Sequence, residues 1–334
     1  MGLELRFLKS RLGISATYYH ANTTNAPVTV QINGATGFTS SLVNAGKIAQ
    51  KGFDLQLNGT PLKSKDLTYT INATFSRILD NKVVELAPGI DQIAVSGGAN
   101  FTGITTPLVV HQVGEQWGML IGGGKKYIDG VPVVDASGNF VKEENKKFGS
   151  VLPDYTGGVQ NSLSYKGFTL NVNIDFQHGG KFFSLSDMWG SYSGLLARTA
   201  TINDKGNPIR NAVADGGGVR VIGFTENKTP VDLYVDAQTY FHSMVSANVY
   251  DDFVYDLTFI KMREVSLGYK LPLHRFGNIS RHIQNASISL VARNPWLIYA
   301  TTRDFDPSEI SNTYGENGQF PGTRSFGFNL RLGF

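Results

Sequence analysis

The last eleven residues, Arg324 to Phe334, alternate strictly between apolar side chains and small or polar ones. Because successive side chains of a β-strand point to opposite faces, this segment predicts a strand with one apolar and one polar face. A length of about ten residues and a phenylalanine-rich face are typical of a strand that crosses a membrane within a β-barrel. The side chains predicted to face lipid are Phe326, Phe328, Leu330, Leu332 and Phe334.

The same alternation recurs through the chain and predicts about nine strands, an all-β fold with antiparallel pairing. One segment, 257–269, changes phase near Arg263 and Glu264, which predicts a β-bulge at that point. We expect Asp175, Arg293 and Arg331 to face inward, because an arginine or lysine that faces lipid near the bilayer midplane costs about 2–4 kcal/mol. These strands therefore predict a transmembrane β-barrel with a polar interior.

The predicted connections alternate between short and long. Short ones are expected at 9–10, 61–65, 166–167 and 271–284, and long loops at about 21–49, 78–155, 178–252 and 294–323. In an antiparallel meander, alternate connections lie at opposite ends of the sheet. The pattern thus predicts short periplasmic turns at one rim and long extracellular loops at the other, the asymmetry of outer-membrane barrels.

Composition and motifs exclude several functions. The formal net charge of +3 is too small to indicate nucleic-acid binding, and the chain has no cysteine. The six histidines are isolated, and no catalytic or cofactor-binding motif is present. We therefore expect neither an enzyme nor a bound cofactor, and we expect lipid rather than nucleic acid as the surroundings.

The predicted number of strands leaves three alternatives open. Single-chain bacterial barrels have even numbers of strands, so about nine strands indicate a portion of a larger barrel. The first eight residues do not resemble a signal peptide, so we expect either a cytoplasmic chain or the C-terminal piece of a longer precursor. The alternatives are a complete small outer-membrane barrel, such as an adhesin or passive pore, and a soluble β-sandwich that binds or hydrolyses a ligand.

Several segments resemble the SusC/RagA-type TonB-dependent transporters of Bacteroidetes. They are GLELRFLKSRLGISATYY at 2–19, NAGKIAQKGFDL at 44–55, GGVQNSLSYKGF at 157–168, FIKMREVSLGYKLP at 259–272 and PGTRSF at 321–326. Gln50 and Asp54 depart from the family pattern. The resemblance covers 1–334 and corresponds to about the last third of such a transporter, a barrel of about 22 strands.

The resemblance implies a function at the bacterial outer membrane. Transporters of this family import oligosaccharides or peptides as part of a SusCD-like complex with a SusD-like surface lipoprotein. They take energy from TonB, ExbB and ExbD through a plug domain, which has no counterpart in 1–334. The resemblance is compatible with a fragment, a truncated gene product or one half of a split transporter, which would need the remainder of the barrel.

Candidate ligand contacts follow from the chemistry of polar oligomers. Sugars stack on aromatic rings and form hydrogen bonds with amides and carboxylates. The candidates on predicted loops are Trp189, Tyr192, Trp296 and Tyr299, and those on the predicted inner face are Gln56, Asn72, Asn171, Asn173 and Asp175. The alternative for the loop aromatics is a role in the loops' own cores or at the lipoprotein interface.

One acidic group could hold a metal ion. Asp304, Asp306 and Glu309 offer the oxygen ligands that Ca²⁺ prefers. Turn formation by the Asp306-Pro307 pair is the simpler interpretation. Apart from this possible structural Ca²⁺, the sequence predicts no metal site.

Overall fold

The computed structural model describes residues 1–31, 40–273, 277, 282–302, 304–310 and 315–334. Within these ranges, nine strands form one antiparallel sheet whose spatial order is the same as the order along the chain. The strands are β1 Gly2–Phe7, β2 Leu12–Gln31, β3 Ser40–Lys63, β4 Leu67–Glu85, β5 Tyr155–Tyr165, β6 Phe168–His178, β7 Phe259–Lys270, β8 Asn285–Ala300 and β9 Ser325–Gly333. The predicted all-β antiparallel fold and its nine strands are confirmed.

One face of this sheet, here called the outward face, is apolar and is not covered by any other described part of the chain. Its clearest row crosses seven strands through Leu62, Tyr69, Leu163, Leu170, Leu267, Leu290 and Phe328. The five apolar side chains predicted to face lipid in the last eleven residues are all exposed, and Phe328 is 75% exposed. A β-sandwich would bury such a face against a second sheet, so the soluble-sandwich alternative is wrong.

The buried core lies mainly in the long connections and not in the sheet. Among the described residues, the buried apolar side chains on β1–β9 are only those of Val83, Phe259 and Ala286. The largest buried cluster instead joins two connections: Val109 and Leu120 come from the first, and a second group follows β6. That second group includes Phe183, Met188, Met244 and Phe253.

The two connections form one folded unit, here called the cap. Its first part is a four-stranded sheet of Gln92–Gly97, Leu108–Gln112, Met119–Lys125 and Lys142–Ser150. Its second part contains helices α1 Leu185–Tyr192 and α2 Ala237–Ser246, the strands Lys181–Ser184 and Val254–Asp256, and the hairpin of Val219–Phe224 with Pro230–Val235. Hydrogen bonds join the two parts, including Thr105 N–H to Asn248 Oδ1 at 2.7 Å.

The short connections all lie at one end of the sheet, here called the turn rim, and the long ones lie at the other end, the loop rim. Lys166 and Gly167 form a two-residue hairpin turn in which both residues have positive φ, as a type I′ turn requires. Half of the predicted turn at 271–284 lies outside the described residues. Placement of the loop rim outside the cell remains a prediction.

Three predicted loop boundaries are wrong. Most of 21–49 is an extended ribbon, because β2 continues to Gln31 and β3 begins at Ser40; residues 32–39 lie outside the described ranges. The predicted loop 78–155 begins with a continuation of β4 as far as Glu85, and 294–323 begins with β8 as far as Ala300. The sequences of these extensions do not alternate strictly between apolar and polar residues, so they lack the pattern that marks a membrane strand.

The predicted bulge is confirmed. Asn173 pairs with Glu264 while Ile174 pairs with Met262, so Arg263 is the additional residue of β7. The bulge keeps Met262 and Ile260 on the outward face and places Lys261 and Glu264 on the other face. The phase slip read from the sequence is therefore the point at which the strand adds one residue without turning its apolar side chains inward.

The nine-stranded sheet is open. Among the described residues β1 pairs only with β2 and β9 only with β8, so the two edges do not meet. This arrangement agrees with a portion of a larger barrel and not with a small closed one. No helix in the described part of the chain is both long and apolar enough to cross a membrane.

Candidate functional site

The face opposite the outward face, here called the inner face, is lined with polar side chains. One level of it crosses all nine strands through Arg6, Gly13, Asn58, Asn72, Gln160, Asn173, Glu264, Arg293 and Ser325. Apart from glycine, every member offers hydrogen-bond donors or acceptors. Such a surface is compatible with a water-filled passage and with polar solutes, not with lipid.

The five polar candidates fall on this inner face in neighbouring rows. Asn72 and Asn173 flank Gln160 in the row just described. Gln56 and Asp175 belong to the next row toward the loop rim, which also contains Ser15, Thr74, Gly158 and Lys261. Asn171 lies one row closer to the turn rim, and its Nδ2 donates to Ser266 Oγ at 3.1 Å. The structure therefore brings these five candidates together on one surface.

A shallow recess of about 290 Å³ lies on the inner face between β2 and β5. Its polar wall consists of hydroxyls, the amide of Gln56 and the carboxylate of Asp54, to which Ser76 Oγ donates a 2.5 Å hydrogen bond. The hydroxyls are those of Ser15, Thr17, Thr74, Ser76 and Thr156. Closely spaced hydroxyls and amides can form hydrogen bonds with the backbone of a peptide or with the hydroxyls of a sugar.

Above these rows, an ion-pair network connects β7 to the last long connection. Lys261 Nζ lies 2.6 Å from both Asp306 Oδ2 and Glu309 Oε1, and its side chain is 3% exposed. Arg263 Nε lies 2.8 Å from Asp175 Oδ2, and its Nη1 lies 3.1 Å from Glu309 Oε1. The network holds the short 3₁₀ turn Pro307–Glu309 against the inner face.

Hydrogen bonds within this network favour the charged form of Asp306. Burial alone would raise the pKa of Asp306, but hydrogen bonds from Lys261 and Ser308 outweigh it and hold that pKa below its ordinary value. Asp175 Oδ1 is buried and has no hydrogen-bond partner within the described ranges. That oxygen is therefore an acceptor available beside the row that contains Gln56.

The calcium candidates do not converge on one point. The ammonium of Lys261 lies between Asp306 and Glu309, in the position that a cation would take. Asp304 instead approaches Arg198, at 3.8 Å. No group of three or more His, Asp or Glu side chains in the described ranges could hold a metal ion. Calcium at these residues remains a prediction that would require displacement of Lys261.

The four aromatic candidates separate into two places. Trp189 and Tyr192 lie on α1 within the cap, where the Trp189 ring meets those of Phe101 and Tyr192 edge-on at 5.8 and 5.7 Å. Trp296 and Tyr299 are not on a loop. They lie on β8 opposite Met262 and Ile260, and therefore share the outward face with the apolar rows. None of the four contacts the polar inner face, and ligand contact by them remains a prediction.

Sequence reasoning did not identify Lys261 and Arg263 as part of this site. Both are charged residues in a strand that is otherwise apolar on alternate positions, next to the predicted bulge. A bulge redirects side chains. The change of phase near Arg263 was therefore the sequence feature that could have indicated these two residues. Their partners Asp306 and Glu309 are distant in sequence and could not be assigned from spacing alone.

The apolar outward face, polar inner face and asymmetric connections define a segment of an outer-membrane β-barrel. The family model described as "TonB dependent receptor-like, beta-barrel" matches residues 2–186. The chain therefore belongs to the TonB-dependent receptor family, whose β-barrels lie in the bacterial outer membrane. This confirms the resemblance drawn from the sequence and the predicted location.

Relatives and solved structures agree with this assignment. TonB-dependent receptor P3 of Formosa agariphila is 23% identical over 364 residues, which cover 100% of this chain and 33% of the relative. TonB-dependent receptor P26 of the same organism is 24% identical over 95% of this chain and 31% of its own length. The chain thus spans about one third of these relatives.

The structure of the RagAB peptide importer in its closed-closed state shares the fold. Its TM-score is 0.70 at 22% identity, and the match covers 99% of this chain and 34% of that one. Its open-open state gives a TM-score of 0.67 at 21% identity. The nine-stranded sheet and its connections therefore follow the arrangement of part of a full-length transporter barrel.

Proposed function

We propose that this chain forms part of the wall of a TonB-dependent transporter that imports polar oligomers, either peptides or oligosaccharides, across the outer membrane. The observation that carries the proposal is the polar row that crosses all nine strands, from Arg6 to Ser325, on the face opposite the apolar rows. The apolar face suits lipid, and the polar face suits a hydrated passage.

Two observations support an oligomeric polar substrate. The inner face offers amides and hydroxyls on neighbouring rows, so that one extended molecule could form several hydrogen bonds along the wall. The solved structures that share the fold belong to a peptide importer, which supports peptides, while the chemistry of the wall accommodates either class.

The proposed partners follow from the same comparison. A SusD-like surface lipoprotein would cover the loop rim, where the cap presents a folded surface. TonB, with ExbB and ExbD, would supply energy through a plug domain that lies outside 1–334. The remainder of the barrel would complete the open sheet between β1 and β9.

Uptake by the complete receptor tests the proposal. A strain that lacks the gene should lose growth on one class of substrate, either defined peptides or defined oligosaccharides, and the same loss should follow from inactivation of TonB. Gln160→Leu, on the inner face, should reduce uptake several-fold at unchanged surface abundance. Val159→Leu on the outward face of the same strand is the matched control and should leave uptake unchanged.

Two outcomes would contradict the proposal. Uptake that continues without TonB would indicate passive diffusion, and unchanged growth on both substrate classes after gene deletion would remove the transport role. Purification of the receptor from its own membrane, followed by identification of associated proteins, tests the lipoprotein partner separately.

A further inference from the structure

Aromatic rings form a belt on the outward face near the loop rim. The rings of Phe53 and Phe75 are 5.9 Å apart, those of Phe75 and Tyr155 are 5.5 Å apart, and those of Tyr155 and Phe176 are 6.5 Å apart. On β6, Phe168 near the turn rim and Phe176 enclose a stretch of about nine residues, the length that spans the hydrocarbon layer. This belt therefore marks the level at which the apolar band ends.

A recess of about 610 Å³, larger than the inner-face recess, lies beside this belt. On the wall strands most of its lining residues belong to the outward face, including Phe176, Ile260 and Tyr299. Its opposite side is formed by polar residues that follow β6 or precede β5 and β7, including Lys181 and Asp256. The recess is thus apolar toward the membrane and polar toward the cap.

The polar side of the recess carries no excess of positive charge. Lys181 Nζ lies 2.6 Å from Asp256 Oδ1, and His178 Nδ1 lies 3.4 Å from Asp154 Oδ2. An anionic headgroup would have to displace these carboxylates, so the recess does not favour one. The same groups are suitable donors and acceptors for neutral hydroxyls.

Flat rings are also available within the recess. The rings of His178 and Tyr155 stack in parallel, with centroids 4.8 Å apart and planes inclined by 4°. Tyr299 is 51% exposed on the same side. Aromatic faces beside carboxylates and an ammonium group form the combination that binds sugar rings by stacking and hydrogen bonding.

From these observations we infer that the recess binds a glycolipid of the surrounding membrane. The sugar headgroup occupies the recess between Tyr299 and His178, and the acyl chains extend along the apolar rows below Phe176 and Ile260. Outer-membrane barrels carry their long loops outside, so the lipid belongs to the outer leaflet. The inference rests on the membrane location of the barrel and not on the proposed transport.

Photo-crosslinking within the membrane tests this inference. A photoreactive phenylalanine analogue is placed at Ile260 in the complete receptor, and its lipid adducts are identified by mass spectrometry. Leu55 is the matched control position. It lies in the same cross-strand row as Ile260 through Phe75, Gly157 and Phe176, and the two side chains are 40% and 38% exposed, but Leu55 does not line the recess.

The expected result is a several-fold higher fraction of glycolipid among adducts at 260 than at 55. His178→Ala in the same background should lower that fraction, and His20→Ala, which removes an exposed histidine elsewhere on the wall, should not. Adducts at 260 that match those at 55 in composition, that are enriched in phospholipid, or that consist of protein would each overturn the inference. Transport activity does not enter this measurement, so its outcome is independent of the proposed function.

Discussion

The ammonium group of Lys261 lies 2.6 Å from Glu309 Oε1 and connects a strand of the barrel wall to the last long connection. Lys261 is a charged residue in a β-strand, and it is almost completely buried. Burial of an ammonium group is costly unless it is paired, and here Asp306 and Glu309 both pair with it. Lys261 therefore contributes, together with Arg263, to the position of the last connection above the inner face.

We predict that Lys261→Met releases the turn at 304–310. The substitution leaves the carboxylates of Asp306 and Glu309 without their ammonium partner, and loss of one member of a buried pair costs about 3–5 kcal/mol. Hydrogen exchange at 304–310 should become faster in the variant.

The control for this experiment is Lys147→Met. Lys147 lies 2.6 Å from Glu115, the same separation as in the buried pair, but these side chains are 45% and 35% exposed. Exposed pairs contribute about 0–1 kcal/mol, so this variant should exchange at the wild-type rate. Equal effects of both substitutions would show that burial does not set the strength of the Lys261 pair.

The assignment of the two faces predicts opposite results for neighbouring substitutions on β9. Leu330 pairs with Ile288 on the outward face, and Asn329 pairs with Ser289 on the inner face. Leu330→Arg should block assembly into the outer membrane, because an arginine that faces lipid costs about 2–4 kcal/mol near the midplane. Asn329→Arg should assemble normally.

The measurement is the amount of heat-modifiable, protease-resistant receptor in the outer-membrane fraction. The two variants differ in position by one residue and introduce the same side chain, so they share any general effect of arginine on expression. Similar assembly of both variants would contradict the assignment of the outward face to lipid.

We predict that the contact between Glu316 and the N-terminus of α1, within the connections at the loop rim, depends on pH. Glu316 Oε2 accepts hydrogen bonds from Ser184 Oγ at 2.8 Å and from the Ser186 N–H at 3.0 Å, and both donors lie at the N-terminus of α1. Burial alone would raise the pKa of Glu316, but these bonds outweigh it, and its pKa lies below the ordinary value of 4.5.

Because the pKa of Glu316 is lowered in the folded protein, its charged carboxylate stabilises this contact. The contribution is complete above pH 4.5 and disappears as the pH falls below 4.5 through the lowered pKa. Hydrogen exchange at 184–187, corrected for the intrinsic rate, should therefore accelerate on acidification. Glu316→Gln should exchange faster at neutral pH and lose most of this pH dependence; a variant that keeps the wild-type profile would exclude Glu316 as the titrating group.

The sequence predicts the wall much better than the connections, for a physical reason. A strand between lipid and water must alternate, so β9 and β6 could be read residue by residue from their apolar positions. Where β2, β3 and β8 extend past the apolar rows, this requirement ends, and their sequences no longer alternate strictly. For that reason the ribbon at 21–49 was expected to be a loop, and Trp296 and Tyr299 were assigned to a loop although they lie on β8.

In the candidate site, too, the residues on the wall strands could be predicted from the sequence and the contacts made by the connections could not. Period-two alternation was sufficient to place Gln56, Asn72, Asn171, Asn173 and Asp175 on one inner surface. The ion pairs of Lys261 with Asp306 and Glu309 depend on how a long connection folds back onto the wall. That path is determined by the packing of the connections, for which the sequence contains no simple period.

The bulge at Arg263 gives a final prediction about register. Arg263 is the additional residue of β7, so its deletion leaves Met262 paired with Ile174 and Glu264 paired with Asn173 in a regular ladder. Met262 then still faces outward and Lys261 still faces inward, and we expect this variant to assemble in the outer membrane. Deletion of Asn171 is the matched comparison, because Asn171 lies in a stretch of β6 without a bulge. It shifts the part of β6 on one side by one residue and exchanges its two faces, so this variant should fail to assemble. Both are measured as heat-modifiable receptor in the outer-membrane fraction, and equal assembly of the two deletion variants would mean that the bulge does not absorb the change of phase in β7.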